Sequence, residues 1–131
     1  MKFRKFRWVC VVTIVVAVFA ANGGARAAEL IMFETEGCEW CERWHAEIGP
    51  VYPLTPEGKF APLRRVEIAD DLPADLAGFE GIYFTPTFVV LDGGKEVGRI
   101  IGFPGEDFFW GLLGEILKKH GFRLAETPAA G

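Results

Sequence analysis

The sequence predicts one α/β domain, a βαβ unit followed by a ββα unit, with a central mixed β-sheet covered by helices. Three observations carry that reading. Leu30-Ile31-Met32-Phe33 is a short continuous apolar run, and helical spacing follows soon after it. Thr87-Phe88-Val89-Val90-Leu91 and residues 96–101 flank Asp92-Gly93-Gly94-Lys95, which has the composition of a hairpin turn. An amphipathic stretch then runs from residue 106 to about 120, and Gly121 ends it.

Taken in order, the 30–33 run suits a strand buried on both faces, because it is unbroken by polar residues. Gly37 frees the backbone for a turn, and a helix is predicted over 38–48. There Trp40, Trp44 and Ile48 repeat at helical spacing while Glu39, Glu42, Arg43 and Glu47 cover the rest, until Gly49-Pro50 stops it. Residues 51–62 are rich in Pro and Gly, with Thr55-Pro56-Glu57-Gly58 a turn or the start of a short helix. A second strand is predicted over 63–69 from Leu63, Val66 and Ile68. Residues 71–79 read as a short helix or a turn. In the last helix the apolar face comprises Phe109, Leu112, Leu113, Ile116 and Leu117. No internal repeat and no domain linker is visible.

At 131 residues the chain suits one domain with a proper core and not two. Its first stretch does not belong to that domain. Lys2, Arg4, Lys5 and Arg7 form a basic region, residues 8–21 an almost unbroken apolar run, and Ala25-Arg26-Ala27 a small-x-small cleavage site. This is the build of a secretory signal peptide over residues 1–27. The alternative is an uncleaved N-terminal membrane anchor, but the run is 14 residues and a spanning helix needs about 20. The domain then covers 28–123, with a frayed tail over 124–131.

Five of the 14 basic residues lie in that leader and none of the 18 acids does, so nine basic residues remain against 18 acids, a net charge of −9. Such a balance argues against nucleic acid or an anionic membrane as partner once the leader is gone. The cysteines narrow the chemistry further. Cys10 lies in the leader, which leaves Cys38 and Cys41 as a lone pair in C-x-x-C spacing. Export places that pair in an oxidising compartment, where it closes unless something reduces it. A purely structural staple is the bland alternative, but closing so small a loop adds little stability.

A thiol at a helix N-terminus is favoured as thiolate by unpaired N–H groups and the helix dipole, and the thiolate is the nucleophile. Cys38 has that place. Cys41, one turn on, suits the resolving role, displacing a partner from a mixed disulfide. Thr85-Pro86 offers a cis peptide bond whose preceding backbone groups face outward, where an extended substrate chain can pair beside Cys38. Trp40, Thr85 and Pro86 are therefore the candidate substrate-binding residues. Glu34, Glu36, Glu39 and Glu42 crowd the thiols in sequence, and acids there disfavour the thiolate. Glu39 and His45 are candidate modulators; His45 is expected on the helix surface, four residues after Cys41, with at most a minor part in thiol protonation.

Cys38-Glu39-Trp40-Cys41, Thr85-Pro86-Thr87-Phe88 and Asp92-Gly93-Gly94-Lys95-Glu96-Val97 resemble the thioredoxin superfamily in order and spacing. Gly49-Pro50-Val51-Tyr52, the stretch from Ala61 to Val66 and the stretch from Gly105 to Trp110 are similar to the small exported thioredoxins of bacterial sulfur-oxidation (Sox) clusters. The resemblance implies a thioredoxin fold and a periplasmic oxidoreductase acting on a protein substrate with a disulfide or modified thiol, a Sox-type carrier. It further implies a membrane-linked electron donor, no cofactor beyond the Cys38–Cys41 disulfide, and a monomer. Two departures matter. Glu39-Trp40 stands where thioredoxins have Gly-Pro, and Met32 where they have a buried acid, so proton removal from Cys41 must use water or another group.

Three other readings share these residues. Cys38, Cys41 and His45 form C-x2-C-x3-H, which soft metals such as Cu(I) or Zn(II) would accept, but a closed zinc site wants four ligands. An oxidase or isomerase of the same fold, or a pure interaction module, would share the motif without the reductive role.

Overall fold

A computed structural model of the chain describes residues 28–124, so the predicted leader and most of the predicted tail lie outside the described residues. The element that organises the rest is β1, Glu29–Glu34, in which Leu30, Ile31, Met32 and Phe33 are all fully buried. A strand with no polar face must be covered on both sides. β1 is accordingly central, with β2 (Leu63–Glu67) parallel to it on one edge and β3 (Thr87–Asp92) antiparallel on the other. β4 (Lys95–Ile101) completes the order β2-β1-β3-β4, pairing with β3 through the predicted hairpin and one register shift at Val90/Leu91.

The parallel β1–β2 pair requires a crossover, and α1 (Glu39–Glu47) supplies its helix. After it come a 3-10 turn at Tyr52–Leu54 and α2 (Pro56–Phe60), a single turn of helix capped by Thr55, whose Oγ1 accepts from the Gly58 N–H at 3.0 Å. Gly58 is needed there, since a Cβ would run into the Tyr52 carbonyl. The last helix, α3 (Glu106–Lys118), carries Phe109, Leu113 and Leu117 inward at helical spacing.

Strand alternation sorts the core into two layers. Leu30, Met32, Phe88, Val90 and Ile100 face α1 and α3, packing on Trp44, Ile48, Tyr52, Phe109, Leu113 and Leu117. Ile31, Phe33, Val66, Val89 and Leu91 face the other way, onto Leu76 with Leu72, Phe79 and Ile82. That second layer is where the expected 71–79 segment lies. It is a series of turns rather than a helix, held by Leu76 N–H to Pro73 O (2.8 Å) and Phe79 N–H to Leu76 O (3.0 Å), with Leu76 buried beneath it. Pro73 and Gly78 bracket it, leaving only residues 74–77 between them, too few for a stable helix.

Adjacent residues of α3 offer a test of this layering. Phe109 is fully buried against Trp44 and Phe88, whereas Phe108 is 70% exposed. Phe109→Ala is expected to cost about 3–5 kcal/mol in a denaturant titration, and Phe108→Ala to stay within about 0.5 kcal/mol.

Candidate active site

Cys38 and Cys41 are joined by a disulfide, with Cα atoms 5.2 Å apart. The local sequence places them. Gly37, at φ +75°, turns the chain out of β1 in a conformation that a side chain would resist. Cys38 then stands as the N-cap of α1, with extended φ/ψ, and its Sγ accepts from the Cys41 backbone N–H at 3.1 Å. That N–H is one of the unpaired donors of the helix start, so the sulfur occupies a spot that favours negative charge. Exposure divides the pair: Cys38 is partly exposed, Cys41 only 3%.

One side of the disulfide is polar. Here lies a cleft of about 300 Å³ whose walls include Cys38, Cys41, Glu36, Glu42, Glu67 and an ionic cluster at the end of β1. The cluster follows from strand alternation, which points Glu34, like Leu30 and Met32, toward α1. Glu34 is 9% exposed, a buried carboxylate that demands partners. It has two. Arg65 Nε donates to Oε1 at 2.6 Å, and His45 Nε2 lies 2.5 Å from Oε2. Burial alone pushes the Glu34 carboxyl up, but the hydrogen bonds and charges of His45 and Arg65 together outweigh it and hold it below the usual carboxylate value.

The other side is apolar. Trp40 and Thr85 line a cleft of about 260 Å³ with Ile101, Gly102, Phe103 and Pro104. The Thr85–Pro86 peptide bond is cis. Pro86 itself is buried, its carbonyl accepting from the Gly102 N–H at 2.7 Å, and Thr87 Oγ1 donates to Phe84 O at 2.6 Å. Trp40, half exposed, is covered on one side by the Arg43 guanidinium 5.3 Å from its ring centre. Tyr83 and Phe84 stand exposed nearby in sequence.

No protein-family model and no curated protein matches the chain; solved structures do. The periplasmic thioredoxin SoxS from Paracoccus pantotrophus, in its reduced form, is 48% identical, with a TM-score of 0.66 over 71% of this chain and 98% of that one. The chain belongs to the thioredoxin family. Two more distant thioredoxins share the fold: one from Malassezia sympodialis (23% identity, TM-score 0.54, over 70% of this chain and 76% of that one) and one from Thermus thermophilus (24%, 0.55, 72% and 77%). Membership and the bonded Cys38–Cys41 pair make this thioredoxin a thiol–disulfide oxidoreductase.

The fold brings together most of the residues singled out from sequence, though not in one place. Cys38, Cys41 and His45 line the polar cleft, while Trp40 and Thr85 line the apolar one. Pro86, next to Thr85 in the chain, is buried and lines neither cleft. Glu39 is exposed in the first turn of α1 and outside both linings, acting on Arg43 by charge alone. His45, with 27% of its side chain exposed on α1, is paired with Glu34. Sequence reading missed Arg65, and treated Glu34 as one more acid near the thiols. The signal was there in two periodicities: Glu34 continues the Leu30/Met32 face of the strand, and His45 sits one turn beyond Cys41 on the helix. Among the described residues no group of three or more His, Cys, Asp or Glu is arranged to hold a metal ion, and His45 turns Nε2 to Glu34.

The Glu34 pairing has a measurable signature. A carboxyl held below its ordinary value of 4.5 adds stability that is fully present above that pH and is lost as the pH falls through the lower folded value. The stability difference between wild type and Glu34→Gln should therefore shrink as the pH falls below about 4.5. Urea titrations of the two oxidised proteins at several pH values would read this; a difference that keeps growing below about pH 4.5 would contradict the pairing.

Proposed function

We propose that this thioredoxin is exported and reduces a disulfide on a partner protein in the periplasm, the partner being a carrier of the Sox type. The asymmetry of the disulfide carries the reading: a partly exposed Cys38 whose sulfur caps the helix, and a buried Cys41 behind it. In the dithiol form Cys38 is the thiolate and attacks the partner's disulfide; Cys41 then attacks Cys38 and releases the partner as a dithiol. Trp40, two residues after Cys38, and Thr85 line a groove in which an extended partner segment can lie.

The direction rests on charge. Among the four acids near the thiols, Glu34 is neutralised by Arg65 and His45, while Glu36 and Glu42 still line the cleft beside the sulfurs. Negative charge there disfavours the thiolate, hence favours giving electrons away. The leader pattern over residues 1–27 and the likeness to a periplasmic thioredoxin support export. A periplasmic reductant draws its electrons from across the membrane, so a membrane-linked donor is part of the proposal.

The reduction potential tests the direction. The chain carrying Cys10→Ser, equilibrated against dithiothreitol, is expected below about −200 mV; a value near −120 mV would make it an oxidase or isomerase. The division of labour has its own check. Cys41→Ser should accumulate a mixed disulfide with a disulfide-bearing partner on a non-reducing gel, and Cys38→Ser should form none.

A further inference from the structure

The resolving step needs a proton removed from Cys41, which is 3% exposed and whose thiol in a buried site resists ionising. Met32, six residues before Cys38, is fully buried and has no acid–base chemistry to offer. The same cleft wall that holds Cys41 holds His45, tied through Nε2 to the buried Glu34 carboxylate, which Arg65 holds from the far side. A carboxylate on one imidazole nitrogen fixes the tautomer, with the proton on Nε2, and leaves Nδ1 as the basic nitrogen.

We infer that Glu34 and His45 work as a carboxylate–imidazole pair that takes the Cys41 proton in the resolving step. This deepens the reading of Cys38 as nucleophile and rests on it. The cleft, at about 300 Å³, has room for a water to carry the proton between Cys41 and the imidazole. The balance closes without any added reagent. Cys41 Sγ–H gives its proton to His45 and becomes a thiolate. That thiolate attacks Cys38 Sγ, a Cys41–Cys38 bond forms, and the bond from Cys38 to the partner sulfur breaks. The electron pair leaves on the partner sulfur, which takes the proton back from the imidazolium. His45 is the proton carrier, and Glu34 and Arg65 are positioning residues.

Other charges face the same space. Glu36 from the turn, Glu42 from α1, and Arg65 and Glu67 from β2 line the cleft with His45.

The test separates the two thiol steps. The full chain carrying Cys10→Ser is reduced and mixed with an aryl disulfide whose thiolate is coloured. Cys38 attack releases one aryl thiolate in a first phase, and Cys41 attack releases the second. His45→Asn keeps a donor toward Glu34 but carries no proton, and Glu34→Gln removes the carboxylate. Both are expected to slow the second phase by about 10- to 100-fold, the lower part of what a positioned base contributes, with the first phase changed by less than about threefold. The pH profile of the wild type decides independently of any variant. With the pair acting, the second-phase rate should flatten between pH 6 and 8; without a base it rises about tenfold per pH unit toward the ionisation of a free thiol near 8.5. Both variants should restore that slope. A wild-type profile rising tenfold per unit throughout, or a second phase indifferent to both substitutions, overturns the inference alone. A first phase absent in wild type overturns the reading of Cys38 and the inference with it.

Discussion

Trp44 is the contact on which the position of the disulfide depends. Its fully buried ring meets Tyr52, Phe88 and Phe109 at centroid distances of 6.0, 5.3 and 5.7 Å, and the His45 ring edge-on at 5.3 Å. Those partners come from the connection after α1, the central sheet and α3. One side chain therefore pins α1 against three other parts of the fold. Because Cys38 is the cap of that helix and Cys41 lies one turn before Trp44, locking the tryptophan fixes where both sulfurs sit. Aromatic pairs in tilted and edge-on geometry contribute beyond the area they bury, and an interior packed this closely resists rotation of the helix.

The second constraint is electrostatic. A carboxylate ending a buried strand is costly unless its charge and lone pairs are answered. Glu34 meets that requirement with a guanidinium from the neighbouring parallel strand and an imidazole from the crossover helix. The βαβ unit thereby stitches its three parts together by charge at the end where the thiols lie. The same cluster would be a poor stabiliser on an open surface, where exposed ion pairs contribute little; partial burial makes it matter.

Two unlike clefts open near the disulfide. The apolar wall of Trp40, Thr85, Ile101 and Phe103 suits contact with another chain, and the acidic wall with its paired imidazole suits proton chemistry. Both sulfurs line the polar cleft, the buried one behind the more exposed one.

Much of this was legible in the residues. The unbroken run of Leu30 to Phe33 demanded a central strand covered on both faces, the Asp92-Gly93-Gly94-Lys95 turn dictated the hairpin, and C-x-x-C after a glycine placed a thiol at a helix start. Each is a local pattern whose cause lies within a few residues, so local rules suffice. The 71–79 segment was ambiguous because its structure comes from burying Leu76 under the sheet and not from its own propensity. The union of Glu34, His45 and Arg65 could not be read locally at all. Arg65 is 31 residues from Glu34 and His45 is 11, and only the parallel register of β2 on β1, with α1 packed across them, brings the three charges to one point. The sequence by itself determined the strands, the thiol pair and the helix that presents it. The tertiary structure alone decided which acid is buried and which base it holds, because a charge chooses its partner by distance in space and not by position in the chain.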